Sequence, residues 1–190
     1  MLKNYLLFLF FVLSPIVMGQ KASIVLEKRD ILTYPYSDPN PVPILTERRD
    51  EIYPYFSFNG YSINGKVQKW DVVKLENDYI QVWVMPSDGG KVWGAIEKST
   101  GKEFIYRNEV QKYRNISMRG PWTSGGIELN FGFIGHNPST CVPVDYKMVE
   151  NADGSVSCIV GNYDLPSRTK WYVEVRLPKD RLTSKHMPCG

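Results

Sequence analysis

Histidine and cysteine are scarce in this chain of 190 residues, at two and three respectively. His136 has no second histidine at ligand spacing and His186 stands in an irregular tail, so no metal site is read and no cofactor is implied. Cys141, Cys158 and Cys189 are odd in number and widely spaced. Cys141 and Cys158 could bridge across neighbouring strands in an oxidising compartment or stay as buried free thiols, and both readings stand. Charge is not concentrated either: 23 Lys and Arg against 20 Asp and Glu leave a net charge of +3 with no long run of one sign. Nucleic acid is therefore not an expected partner. Apolar spacing of helical period is missing beyond one or two turns outside the amino terminus, which excludes a helical domain.

What the sequence does have begins with Met1, Leu2, Lys3 and Asn4, followed by an uncharged run from Tyr5 to Val12, then Ser14, Pro15 and the small Gly19. This pattern predicts a secretory signal peptide over residues 1–19, cut near Gly19 or Ala22. Pro15 breaks the apolar stretch, which is shorter than the ~20 residues of a spanning helix. The expected product is periplasmic or secreted, with no membrane association after cleavage.

From residue 20 to 69 the chain carries Tyr34-Pro35-Tyr36, Asp38-Pro39-Asn40-Pro41 and Tyr53-Pro54-Tyr55. Proline fixes φ and removes a donor, so this segment is read as an extended lead-in or edge strand lying along the main body. A β-domain is expected over residues 70–180. Strands are read at Val72 to Leu75, Tyr79 to Val84, Val92 to Ile96, Glu103 to Tyr106, Val144 to Val149, Val156 to Gly161 and Thr169 to Leu177. Asn151-Ala152-Asp153-Gly154 is a hairpin signal. Asp88, before Gly89-Gly90, is read as a turn residue capping its own backbone. Residues 107–143 show no period and are expected to form a long functional loop. Residues 181–190 read as an irregular tail, and the sandwich as incomplete at the carboxyl end. The fold class is all-β, an antiparallel β-sandwich.

The chemistry concentrates in that long loop, over Arg119-Gly120-Pro121-Trp122-Thr123-Ser124-Gly125-Gly126-Ile127-Glu128-Leu129-Asn130, then Gly135-His136. Trp122 offers a flat apolar surface to a pyranose face, and Arg119 and Asn130 supply directional hydrogen bonds to hydroxyls. Glu128 and His136 are the candidate proton-exchanging pair. The competing reading gives the tryptophan and arginine packing and surface roles. Trp70, Trp83, Trp93 and Trp171 lie in or beside strands and are assigned to core packing.

These residues carry a resemblance. Leu75 to Ile80, Met85-Pro86 through Gly89-Gly90-Lys91-Val92-Trp93, and Ser99 to Glu103 resemble the amino-terminal meander of galactose mutarotase-like domains of the aldose epimerase superfamily. Together with Arg119 to Glu128, Gly135-His136 and Pro143-Val144-Asp145-Tyr146, they resemble the bacterial family catalogued as domain of unknown function 5107, over about Ile52 to Asp180. The resemblance implies a β-supersandwich, carbohydrate recognition or processing, and a longer exported protein that often continues into tetratricopeptide repeats. It implies a sugar-contacting role for His136, while the late glutamate base of the epimerases has no counterpart here. The expected partner is thus a carbohydrate. The alternative is a non-catalytic interaction or assembly module in which Arg119 to Trp122 and the Tyr/Pro-rich arm form a docking surface.

Overall fold

The computed structural model describes residues 21–35, 62–116, 120–131, 136, 138–165, 167–180 and 185–186. The signal-like segment and most of the proline-rich lead-in lie outside these residues. Eleven strands are present among them, with no α-helix. A seven-stranded sheet contains β1 (Ser23–Tyr34), β2 (Lys66–Glu76), β3 (Ile80–Met85), β4 (Lys91–Glu97), β5 (Glu103–Ile105), β6 (Val110–Ile116) and β7 (Gly120–Thr123). Its spatial order is β5-β4-β3-β2-β1-β6-β7, antiparallel except where β1 and β6 run parallel. A four-stranded antiparallel sheet contains β8 (Asp145–Glu150), β9 (Val156–Asp164), β10 (Thr169–Leu177) and β11 (Lys185–His186), in the order β11-β10-β9-β8. The class is the expected all-β sandwich.

Alternation explains how the sheets meet. Val73 and Leu75 of β2, Val82 and Val84 of β3 and Val92 and Ala95 of β4 project from one face of the large sheet. Val156, Cys158 and Val160 of β9 and Trp171, Val173 and Leu177 of β10 meet them from the small sheet to form the main core. Most of these side chains are fully buried, and removal of their apolar surface from water is the principal stabilising term. Asn77 joins the two layers: its Oδ1 accepts from the amides of Tyr79 and Ile80, both at 2.9 Å, and its Nδ2 donates to the Pro178 carbonyl at 2.8 Å.

The other face of the large sheet carries a second cluster of Ile31, Val72, Trp83, Met85 and Trp93, with Trp70 and Ile96 packed against it. A β-bulge between β3 and β4 makes this possible. Trp83 pairs with Gly94 and Val84 with Val92, so Trp93 is the extra residue and joins Trp83 on the outer face. The Arg107 guanidinium lies 4.8 Å from the Trp83 ring centroid and 5.2 Å from that of Trp93, and Arg29 sits over the same rings at 5.0 and 6.0 Å. Glu27 and Glu103 hold these arginines at 2.9 and 2.8 Å.

Four expectations change. The lead-in does not begin as an edge strand: β1 pairs with β2 on one side and β6 on the other, well inside the sheet. The 107–143 stretch is not one aperiodic loop. It holds β6, β7 and a 3-10 turn at Pro138–Cys141. In β6 the inward positions are Gln111 and Tyr113, both buried, so the strand alternates without an apolar signal. Lys185–His186 of the tail pairs with Val175 and Arg176 of β10. Finally, Cys141 and Cys158 are both buried free thiols in separate clusters, which removes the disulfide alternative for that pair, and burial pushes the Cys158 thiol up to about 12.

Candidate functional site

The β3–β4 turn, the β6–β7 hairpin, the 3-10 turn and the segment after β7 converge at one end of the sandwich. The turn is compact: the amides of Asp88 and Gly90 both donate to the Met85 carbonyl, at 3.1 and 3.0 Å. Gly89 has φ +67°, and a side chain there would collide with the Thr140 backbone, so only glycine lets the turn close against the 3-10 turn.

The Asp88 side chain does not cap its own turn. It is fully buried, and its Oδ2 accepts from Gln111 Nε2 of β6 at 2.6 Å and from Thr123 Oγ1 of β7 at 3.1 Å. Lys91, itself buried, places Nζ 2.7 Å from Thr123 Oγ1 and 3.8 Å from Asp88 Oδ2. Among the described residues no donor meets Asp88 Oδ1. Burial is the largest influence on the Asp88 carboxyl and pushes it up. Lys91, Gln111 and Thr123 pull it back only in part, and the charge of Glu128 pushes the same way as burial. Tyr113 beside this knot is held well above its ordinary value by burial and then by Asp88. Only a lysine and a carboxylate three residues apart hinted at the knot in the sequence. The turn residues between them pointed to backbone capping instead.

The segment that leads to Glu128 crosses the start of β4. Val92 and Ile127 form an isolated antiparallel bridge, with amide-to-carbonyl distances of 3.1 and 2.8 Å, which makes Lys91 and Glu128 the next cross-strand neighbours. Gly126, at φ +75°, passes so close that a Cβ would lie 3.1 Å from Lys91 Cε and would collide with the Val92 carbonyl. His136 Nδ1 stands 2.5 Å from Glu128 Oε1, with the two side chains 24% and 16% exposed. Eight residues of separation are thus closed into one carboxylate–imidazole contact that solvent still reaches.

The other candidates are placed as follows. Leu129 and Phe131 pack on the main core, Phe131 stacking on Trp171 at 6.1 Å between centroids, while Asn130 between them is exposed. Trp122 is half-buried on β7. Strand alternation turns it to the face opposite Thr123, away from the Asp88–Lys91 side. Arg119 lies outside the described residues. The structure therefore brings Glu128 and His136 together, leaves Asn130 free to face solvent, and sets Trp122 on the other side of its hairpin. No group of three or more potential metal ligands occurs among the described residues.

Chemically, a glutamate in hydrogen-bond contact with one imidazole nitrogen does not also stand across a sugar ring from it as an independent acid or base. With Nδ1 protonated, the imidazole donates to the Glu128 carboxylate and presents Nε2 as its free nitrogen, the way a carboxylate fixes a histidine tautomer in many sites. Such a pair can accept or donate one proton at Nε2 and hydrogen-bond hydroxyls through the remaining carboxylate oxygen.

By class this is a two-layer all-β sandwich that carries a part-exposed carboxylate–imidazole pair and, separately, a buried Asp–Lys knot. More particularly, residues 47–186 match the family model described as a domain of unknown function (DUF5107), and the chain belongs to this family. It is also similar to the crystal structure of a TPR-domain containing protein from Parabacteroides distasonis ATCC 8503, with 27% identity and a TM-score of 0.76 over 86% of this chain. This chain spans 28% of that protein's length.

Proposed function

We propose that this domain recognises a carbohydrate, with the Glu128–His136 pair at the centre of the site and Asn130 at its rim. The observation that carries the reading is the 2.5 Å contact between His136 Nδ1 and Glu128 Oε1 at partial exposure. A hydroxyl-rich ligand needs several directional acceptors and donors held by a rigid frame, and this end of the sandwich supplies them on short, hydrogen-bonded segments. If chemistry accompanies binding, the step is proton transfer at the anomeric centre through His136 Nε2, with Glu128 orienting the ring. The signal-like segment of residues 1–19 supports placing this activity in the periplasm or outside the cell. In the test, a panel of mono- and oligosaccharides is titrated calorimetrically into the full-length protein and into Glu128→Gln. Binding weakened at least tenfold by the substitution supports the reading, and heat changes identical in both proteins for every bound glycan would end it.

The similarity to one segment of a TPR-domain containing protein favours a second reading, a non-catalytic module that seats a protein partner beside helical repeats. A partner recovered with the native chain and equally with Glu128→Gln, together with silence toward glycans, selects this reading over the first.

A further inference from the structure

The small sheet has an outer face, turned away from the core, with its own arrangement of side chains. Cys158 and Val160 of β9 and Trp171 and Val173 of β10 point inward. Alternation therefore turns Gly161 and Tyr163 of β9 and Lys170, Tyr172 and Glu174 of β10 outward. Tyr163 and Tyr172, 43% and 57% exposed, are the exposed large apolar side chains of these two strands. Gly161 stands opposite Tyr172 and Tyr163 opposite Lys170, so the tyrosines form a diagonal cross-strand pair, at a backbone spacing of about 7–8 Å. A Cβ at Gly161 would collide with the Trp171 carbonyl and lie 3.1 Å from Tyr172 Cβ. The close approach of the strands thus requires glycine, and it leaves no side chain directly opposite Tyr172 on β9. Beyond Gly161 in the same row is Asp145 of β8, and the next row is Lys147, Ile159 and Glu174. Ser157 Oγ donates to Glu174 Oε1 at 2.5 Å and fixes that carboxylate.

Around the two rings Lys147 and Lys170 balance Asp145 and Glu174, so the face does not select a charged ligand. Nor does it have the apolar centre of a stable protein interface. Tyr146 and Met148 of the neighbouring β8 are exposed too, but they stand opposite Val160 and Cys158 and so belong to the core side. What the outer face offers is two flat amphipathic rings bordered by donors and acceptors on a hydrogen-bonded sheet. The C–H face of a pyranose stacks on such a ring while its hydroxyls reach the polar groups beside it. We propose that Tyr163 and Tyr172 form a second glycan-binding surface, which takes neighbouring units of one neutral oligosaccharide chain across Gly161, with Lys170 and Glu174 meeting its hydroxyls. The surface is separate from the Glu128–His136 contact: Phe131, three residues after Glu128, stacks on core-facing Trp171, and Tyr172 points the opposite way. The inference rests on the carbohydrate reading for the class of its ligand, and on nothing at the Glu128–His136 pair.

The test is calorimetric titration of the full chain with cello-, xylo-, chito- and malto-oligosaccharides, each as dimer and hexamer. The native chain is expected to bind a hexamer more tightly than the dimer of the same sugar. Tyr172→Ala, at an exposed position, weakens hexamer binding about tenfold, and Tyr163→Ala weakens it less. Tyr172→Phe keeps the ring and retains most of the affinity. The same losses in a Glu128→Gln background show that the surface binds by itself. Hexamer binding unchanged when Tyr163→Ala and Tyr172→Ala are combined overturns the proposal, and if Glu128→Gln abolishes that binding, the Glu128–His136 reading stands alone. Binding lost with the two tyrosines but indifferent to Glu128→Gln upholds this surface and ends the reading of the pair as the sugar site. Silence toward every oligosaccharide overturns both.

Discussion

Two regions of this molecule use the same residue types to opposite ends. On the outer face of the large sheet, Arg29 and Arg107 cover Trp83 and Trp93, with Glu27 and Glu103 holding the guanidinium groups. Both indoles are buried, at 4% and 5% exposure, so no sugar ring can stack on them. At the end of the sandwich a glutamate and a histidine meet with solvent at hand. An arginine, a tryptophan and a glutamate near one another are thus not by themselves a binding site. Burial and the direction of the free polar atoms separate the cemented array from the available one.

The comparison can be broken by substitution, and the largest effect belongs to the cemented side. Trp83→Ala is expected to destabilise the fold by about 3–5 kcal/mol in urea unfolding while leaving any glycan affinity of the folded fraction unchanged. A Trp83→Ala protein that is fully stable yet blind to ligand would reverse the assignment of the two regions. Next in size is Thr123→Val, which removes the bond from Lys91 Nζ to Thr123 Oγ1 and the one from Thr123 Oγ1 to Asp88 and should cost about 1–3 kcal/mol. Arg107→Met retains the stem that fills the space over Gly94 but loses two cation–π contacts, for a cost of about 0.5–2 kcal/mol.

The smallest expected effect is that of the ion-pair chain beside the aromatic array. Burial opposes ionisation of Glu76, but hydrogen bonds from Lys98, Gln81 and Lys74 outweigh it and bring the carboxyl to about 2. A folded value below the unfolded one means that the contribution is fully present above about pH 4.5 and is lost as pH falls toward 2. Glu76→Gln should therefore flatten the acid limb of the stability profile below pH 4.5, by under about 1 kcal/mol, and leave stability at pH 7 slightly lower. An unaltered acid limb contradicts the assignment.

The sequence made these regions legible to different degrees. Strands with apolar alternation, such as β3, β4, β9 and β10, were readable because their inward positions are Val, Ile, Leu and Trp, and β10 is found at the expected residues Thr169–Leu177. β6 was hidden because what it buries is Gln111 and Tyr113, and β1 because charged Glu27, Lys28, Arg29 and Asp30 occupy its middle, where Glu27, Lys28 and Arg29 form ion pairs and Arg29 lies over Trp83 and Trp93 rather than marking a loop. The clustering of Glu128 and His136 was suggested by composition alone. Their direct contact depends on a bridge between Ile127 and Val92, residues 35 apart that no local pattern connects. Asp88 was misread for a related reason: its partners Gln111 and Thr123 come from the hairpin that the sequence had concealed.

The most direct test of the central claim is a side-chain and backbone NMR map of the full chain during addition of glycans. The account predicts perturbation at the His136 ring, at Glu128 and at Asn130, with the indole signals of Trp83 and Trp93 unmoved. Saturable shifts at those two indoles, with His136 silent, would contradict it.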